Sequence, residues 1–170
     1  KGIKDFDTLA AFQHMLNTAR SIPPPGSAFS GRRGNDSCIL YDYCPSDSMT
    51  QAVSRTFEYG WSDFAISLFA EAMGFEDEAS AFRQYARNYQ HLWDEETRYF
   101  RPRKANGEFE EAFKPLLLTY LDSDGKYTND YVEGSALQWK WAAFYDAKGK
   151  IELLGGPEIF VEELNDFFEK

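Results

Sequence analysis

The chain has 170 residues, a formal net charge of −10 and an isoelectric point near 4.7, with 43% hydrophobic and 17% aromatic residues. That is enough apolar material for one domain with a real core, and it excludes a disordered chain. The acidity argues against nucleic acid and against anionic membrane surfaces as partners. No apolar run approaches the roughly 20 residues that span a bilayer.

The opening Lys1-Gly2-Ile3-Lys4-Asp5-Phe6-Asp7 reads as the interior of a longer chain, so any targeting signal is expected outside it. Phe6 to Arg20 carries a helical stripe of Phe6, Leu9, Ala10, Gln13, Leu16 and Ala19. Ser21 to Ser48, with Pro23-Pro24-Pro25-Gly26, reads as loop. This stretch holds both cysteines, Cys38 and Cys44, with no companion Cys or His cluster for zinc; a short-loop disulfide and two free thiols both remain open. It also holds the sequon Asn35-Asp36-Ser37, which matters only in a secreted protein.

Thr50 to Met73 reads as a long helix with two apolar stripes, Val53, Phe57, Trp61, Phe64 and Leu68 against Tyr59, Ile66, Phe69 and Met73. Two apolar faces predict burial on both. Asp77 to Trp93 predicts a one-sided helix, with Ala79, Phe82, Ala86, Tyr89 and Trp93 inward and Ser80, Arg83, Gln84, Arg87 and His91 outward. Tyr99 to Arg103, Asn106-Gly107 and Glu108 to Glu110 predict a short hairpin. Glu133 to Tyr145 is apolar nearly all round. Glu158 to Phe168 is one-sided, with Glu162, Glu163, Asn165, Asp166 and Glu169 assigned to the wet face. Pro157 suits the first turn of that last helix, and Gly155-Gly156 ends a short one before it. A doubly buried helix is thus followed by a one-sided helix, twice. That order predicts an all-α fold with inner and outer helical layers, about half of an (α/α)6 toroid, the alternative being a compact irregular helical bundle.

Three clusters could carry chemistry. Arg55, Glu58 and Asp63 are charges on a helix expected to be buried, where each needs a partner. An internal Arg55–Glu58 pair competes there with ligand contact. Arg101 and Arg103 share one face of an extended segment and could fork onto sugar hydroxyls; solvated surface arginines are the alternative. Glu133, with Gln138 and Trp139 following, opens an apolar helix. Burial there would favour a protonated carboxyl fit for general acid catalysis, whereas a simple N-terminal cap would stay ionised. No Ser–His–Asp or Cys–His arrangement and no phosphate loop is present.

Five segments in order resemble glycoside hydrolase family 92, the calcium-dependent exo-α-mannosidases. They are Tyr43-Cys44-Pro45-Ser46-Asp47, Val53-Ser54-Arg55-Thr56-Phe57-Glu58-Tyr59, Phe100-Arg101-Pro102-Arg103 with Asn106-Gly107, Tyr131 to Trp139, and Ile151 to Gly156. The resemblance implies a catalytic ring of six helix pairs preceded by a β-sandwich domain, with residues 1–170 forming part of the ring and packing against the rest of their own polypeptide. It implies removal of terminal α-mannose from a glycan with inversion, Glu133 aligning with the general acid. Arg55, Glu58, Asp63, Arg103 and Gln138 are expected either to line the site and bind substrate or to support the residues that do. The general base and the Ca2+ ligands are implied to lie beyond Lys170. Ser135, Leu137, Tyr145, Asn106 and Phe109 stand where the family usually has Asn, Trp, His, Asp and Trp. An inactive structural or binding relative, or another toroid hydrolase of trehalase or glucosidase type, are the competing expectations; a secreted setting is favoured.

Overall fold

The computed structural model describes residues 5–28, 31–117 and 128–169. Helix α1 (Thr8–Arg20) begins where the Asp7 carboxylate accepts the Ala10 N–H at 2.9 Å, and it buries Phe12 and Ala19. The segment expected to be all loop contains a second helix, α2 (Asn35–Tyr41). Tertiary contacts rather than periodicity hold it. Asn35 Nδ2 donates to the carbonyls of Ala19 (2.8 Å) and Ser21 (3.3 Å), and a Cys38–Cys44 disulfide closes the other end. The bridge settles the two thiols. The sequon amide of Asn35 is fully buried and committed to its two hydrogen bonds.

Helix α3 (Ala52–Ala72) is the spine. Its N-terminal half places Val53 and Phe57 in a core with Tyr89, Leu92, Phe100, Tyr131 and Leu154. Its C-terminal half places Ile66 and Ala70 in a second core with Phe12, Ala79 and Phe82. The expected burial on both faces holds only in part, since Trp61 is 46% and Leu68 48% exposed. Helix α4 (Glu76–Tyr85) lies beside α3, with three acidic residues in its first turn where the helix dipole favours them. It stops eight residues short of the expected Trp93. A tight 3₁₀ stretch over Asn88–Leu92 replaces the missing turns, because Tyr89 and Leu92 leave the core of α4 and enter that of Phe57.

Strands β1 (Trp93–Asp94) and β2 (Tyr99–Phe100) pair antiparallel, Trp93 opposite Phe100. Tyr99 and Phe100 therefore pair backward, and the expected forward hairpin starts after them. There Arg103 bridges Phe109, Lys104 N–H donates to the Glu108 carbonyl at 2.8 Å, and Gly107 supplies a φ of 87°.

The expected helix over Glu133–Tyr145 is replaced by three pieces. Helix α5 (Ala136–Trp139) is one turn long, starting only after Ser135. Ala143, at φ 57°, breaks the run before a 3₁₀ turn at Phe144–Asp146. Trp139, Trp141 and Phe144 then reach three different partners, Phe57, Phe160 and Trp61. Helix α6 (Ala147–Leu153) is capped by Asp146 on the Gly149 N–H, and α7 (Pro157–Glu169) follows Gly155 and Gly156 at φ 103° and 106°. On α7 the assignment of Glu163 to the wet face is corrected. Its carboxylate sits between Arg98 Nε (2.6 Å) and Lys140 Nζ (3.0 Å), while Val161 and Phe168 are exposed.

Two outcomes follow from this packing. A Cβ at Gly60 would press into the Tyr145 hydroxyl and lie 3.0 Å from the Ala86 carbonyl oxygen. Gly60→Ala is expected to lower the unfolding free energy of the intact protein by about 1–3 kcal/mol, the usual range for overpacking, read by urea titration. For Glu163, burial pushes the carboxyl up, but the hydrogen bonds from Arg98 and Lys140 outweigh it and hold it below the ordinary glutamate range. A depressed carboxylate contributes stability above its unfolded value and loses it as pH falls through the folded one. The wild type should therefore weaken as pH drops below about 4.3. Glu163→Gln should flatten that slope and remove about 3 kcal/mol near neutrality, because Lys140 stays buried without its counter-charge.

Candidate functional site

The site is built where the start of α3 meets residues 129–134. The Gln51 N–H donates to the Asn129 carbonyl, and the Val53 and Ser54 N–H groups donate to that of Asp130 at 3.1 and 3.3 Å. These donors belong to the first turn of α3, where backbone N–H groups lack intrahelical partners. A segment nearly eighty residues downstream thus satisfies them. Tyr131 is fully buried and donates its hydroxyl to the Phe100 carbonyl at 2.6 Å. Beyond it the chain turns sharply, and Glu133 has φ 49°. Gln51, on the facing element, has φ 61°. A non-glycine residue in this region costs about 1–3 kcal/mol and persists only where its surroundings fix it, which is why such residues gather at functional sites.

Glu133 is exposed, with its side chain outside α5. The expectation of a carboxylate buried at a helix mouth is corrected. Ser135 is the N-cap, and Gln138 closes a capping box by accepting the Ser135 N–H at 2.7 Å. Gln138, expected to line the site, is thereby engaged in starting the helix.

Arg55 and Glu58 do come together with this segment. An open groove of about 310 Å³ is lined by Arg33, Gln51, Ser54, Arg55, Glu58 and Val132, among others. The Arg55 guanidinium is held by the Thr50 carbonyl (2.9 Å), Gln51 Oε1 (3.2 Å) and the Tyr59 hydroxyl (3.3 Å). No Arg55–Glu58 ion pair forms among the described residues, and the Glu58 carboxylate faces solvent. The groove therefore offers a fixed cation and an exposed carboxylate, and it reaches the turn of Glu133 through the preceding residue, Val132.

Asp63 and Arg103 lie elsewhere. Asp63 is buried and paired with Arg32 at 2.5 Å, beside a separate cavity of about 110 Å³ that also touches Asn35 and Tyr43. Desolvation pushes its carboxyl above the usual range, and the Arg32 charge only partly offsets this. Arg103 donates to the carbonyls of Gly107 (2.7 Å) and His91 (2.9 Å) and packs over Tyr43 and Phe109. Arg101 likewise binds the Glu110 carbonyl and Asp94. Both arginines pin their own hairpin.

Asp130 escaped the sequence reading. It is half-buried, and desolvation with help from the Glu110 charge raises its carboxyl to about 6, against a hydrogen bond from Thr128. It lines a cavity of about 150 Å³ with Glu110, Pro102 and Tyr131. Its only sequence signal was proximity to Glu133.

The sequence model of the glycosyl hydrolase family 92 catalytic domain matches residues 1–170. The chain belongs to glycoside hydrolase family 92. Among solved structures, the chain is similar to a family 92 inverting mannosidase from Bacteroides thetaiotaomicron, with TM-score 0.85 and 28% identity over 96% of this chain and 21% of that one. A second family 92 α-mannosidase from the same organism, solved with mannoimidazole, gives TM-score 0.80 and 29% identity over 96% of this chain and 20% of its own. An uncharacterized secreted glycosidase of Arthroderma benhamiae is 25% identical across 97% of this chain and 24% of its length. The chain thus spans about a quarter of the curated relative it matches. The mostly helical fold with its small hairpin is consistent with part of the helical toroid of the family 92 neighbours.

The Ca2+ that the resemblance implies finds no set of three or more His, Cys, Asp or Glu placed to hold a metal among the described residues. Among the described residues, no helix is long and apolar enough to cross a membrane.

Asp63→Asn separates support of the fold from ligand contact. Arg32 would remain buried without its counter-charge, which is expected to lower the unfolding free energy of the intact protein by about 3–5 kcal/mol. Calorimetry would show a large drop in melting temperature; an unchanged melting temperature with weakened sugar binding would instead return Asp63 to the site.

Proposed function

We propose that this chain is part of the catalytic domain of an exo-α-mannosidase that removes terminal α-linked mannose from glycans with inversion, and that Glu133 is its general acid. The observation that supports this most directly is an exposed carboxylate on a left-handed backbone turn, anchored to the start of α3 beside the Arg55–Glu58 groove. It stands in a chain matched along its length to the family 92 catalytic domain.

In this reading the Glu133 carboxylic acid donates its proton to the glycosidic oxygen as the bond to the anomeric carbon breaks. The departing alcohol then leaves neutral rather than as an alkoxide. Inversion needs a second carboxylate roughly 6.5–9.5 Å away, drawing a proton from water on the opposite face of the sugar. That base and any Ca2+ ligands come from other parts of the full-length protein, as does a preceding β-sandwich domain. Arg55 and Glu58 contact sugar hydroxyls across the groove. Arg103 and Gln138 shape the walls by fixing the hairpin and α5.

The partner of this chain is then the remainder of its own polypeptide. Trp61 and Leu68 on α3 and Phe144 leave an apolar strip that an adjoining part of the ring would cover. The Cys38–Cys44 bridge supports maturation in an oxidising compartment, which agrees with a secreted enzyme acting on extracellular glycans.

Steady-state kinetics of the full-length protein test the assignment. Glu133→Gln should lower kcat on an alkyl α-mannoside by about 10²–10⁴-fold, the usual range for lost acid catalysis. It should largely spare 2,4-dinitrophenyl α-mannoside, whose leaving group needs no proton. Equal loss on both substrates, or none, would remove Glu133 from the role of acid.

A further inference from the structure

Among the described residues, no hydrogen bond or ion pair from another side chain holds the Glu133 carboxylate. Its direction is then set by the backbone that carries it. That backbone is clamped on both sides of the preceding residue. The Val132 N–H donates to Ser54 Oγ at 2.7 Å, and the Val132 carbonyl accepts from Trp139 Nε1 at 2.9 Å.

The two bonds fix different peptide planes. Ser54 fixes the plane between Tyr131 and Val132. Trp139 fixes the plane between Val132 and Glu133, about which the unusual φ of Glu133 is defined. The clamps themselves are well anchored. Ser54 is 1% exposed in the first turn of α3, and its own N–H holds the Asp130 carbonyl. Trp139 packs its ring on Phe57, one turn further along α3, with ring centroids 5.8 Å apart. Arg55 follows Ser54 directly and lines the groove. One helix therefore carries both the groove cation and the anchor points of the turn that presents Glu133.

We propose that Ser54 and Trp139 are positioning residues that aim the Glu133 carboxyl through the Val132 backbone. This rests on Glu133 being the general acid. Each clamp supplies a single hydrogen bond by a different group, a hydroxyl oxygen and an indole N–H. Ser54→Ala removes its bond with little change of shape, whereas Trp139→Phe also trims the ring that packs on Phe57. Freed at one peptide plane, Glu133 relaxes from its left-handed turn, and its carboxyl leaves the line of proton transfer. Ser54 borders the groove but is 1% exposed, so contact with the sugar falls to Arg55 and Glu58, and Arg55 keeps its own anchors on Thr50, Gln51 and Tyr59. The signature is loss of proton donation without loss of substrate affinity.

Full-length Ser54→Ala, Ser54→Thr and Trp139→Phe, with Glu133→Gln as reference, are assayed on an alkyl α-mannoside and on 2,4-dinitrophenyl α-mannoside. Ser54→Ala and Trp139→Phe should each lower kcat on the alkyl mannoside about 10- to 100-fold, as expected for a catalytic group displaced by about an ångström. KM should hardly move, and the dinitrophenyl substrate should react at close to the wild-type rate. Ser54→Thr retains a hydroxyl and should recover most of the activity. Equal slowing of both substrates, or no slowing, in variants with wild-type circular dichroism would overturn the positioning role. If Trp139→Phe fails to fold, the Ser54→Ala and Ser54→Thr pair decides alone. Glu133→Gln keeps the two ideas apart. Its own dependence on the leaving group without any in the clamp variants sinks the clamp alone, whereas its lack of that dependence sinks the acid assignment and the clamp with it.

Discussion

The first turn of α3 has backbone donors that its own helix cannot satisfy, and residues 129–132 satisfy them. The bonds from Gln51, Val53 and Ser54 to Asn129 and Asp130, and the return bond from Val132 to Ser54, join parts of the chain that lie far apart in sequence. Buried backbone groups left unpaired are expensive, so this junction is a requirement of the fold. Once it forms, Tyr131 reaches the Phe100 carbonyl, the hairpin is fixed against α3, and Glu133 is turned outward at the rim.

From that junction α3 carries order in two directions. Val53 and Phe57 enter the aromatic core beneath the site, and Ile66 and Ala70 enter the smaller core shared with α1 and α4. Charges are used sparingly inside. Arg32 with Asp63 ties the α2 region to α3, and Glu163 with Lys140 and Arg98 ties α7 to α5 and to the turn between β1 and β2. In each place a buried charge has a counter-charge, as desolvation demands. These pairs hold the frame that keeps the groove in register. Arg103 and Gln138 act in the same sense, spending their hydrogen bonds on the hairpin and on the cap of α5.

Periodicity made much of this legible. The stripes of α1, α3 and α7 gave those helices almost to the residue, since each has an apolar face long enough to register as a helical repeat. The Asn106-Gly107 turn was legible because Gly107 must take a positive φ. Where periodicity misled, neighbours outside the segment decided. Residues 133–145 are apolar enough for one buried helix, but their aromatic side chains pack at two levels of α3 and on α7, and the chain breaks to serve them. Helix α2 has no stripe to read, being held by Asn35 and the Cys38–Cys44 bridge.

By itself the sequence determined that the fold is helical, that its motifs are those of family 92, and that Glu133 is the carboxylate to examine. Those conclusions rest on local spacing and on residue identity in order, both of which a linear text records. Tertiary structure decided what each charged residue does. Arg55 and Glu58 reach the groove, while Asp63 and Arg103 are engaged by Arg32 and by hairpin carbonyls. It also decided that Glu133 stands in the open on a strained turn instead of at the dry mouth of a helix. The physical reason is that a side chain's hydrogen-bond partners and its exposure are set by segments distant in sequence, here above all by the docking of residues 129–132 on the start of α3.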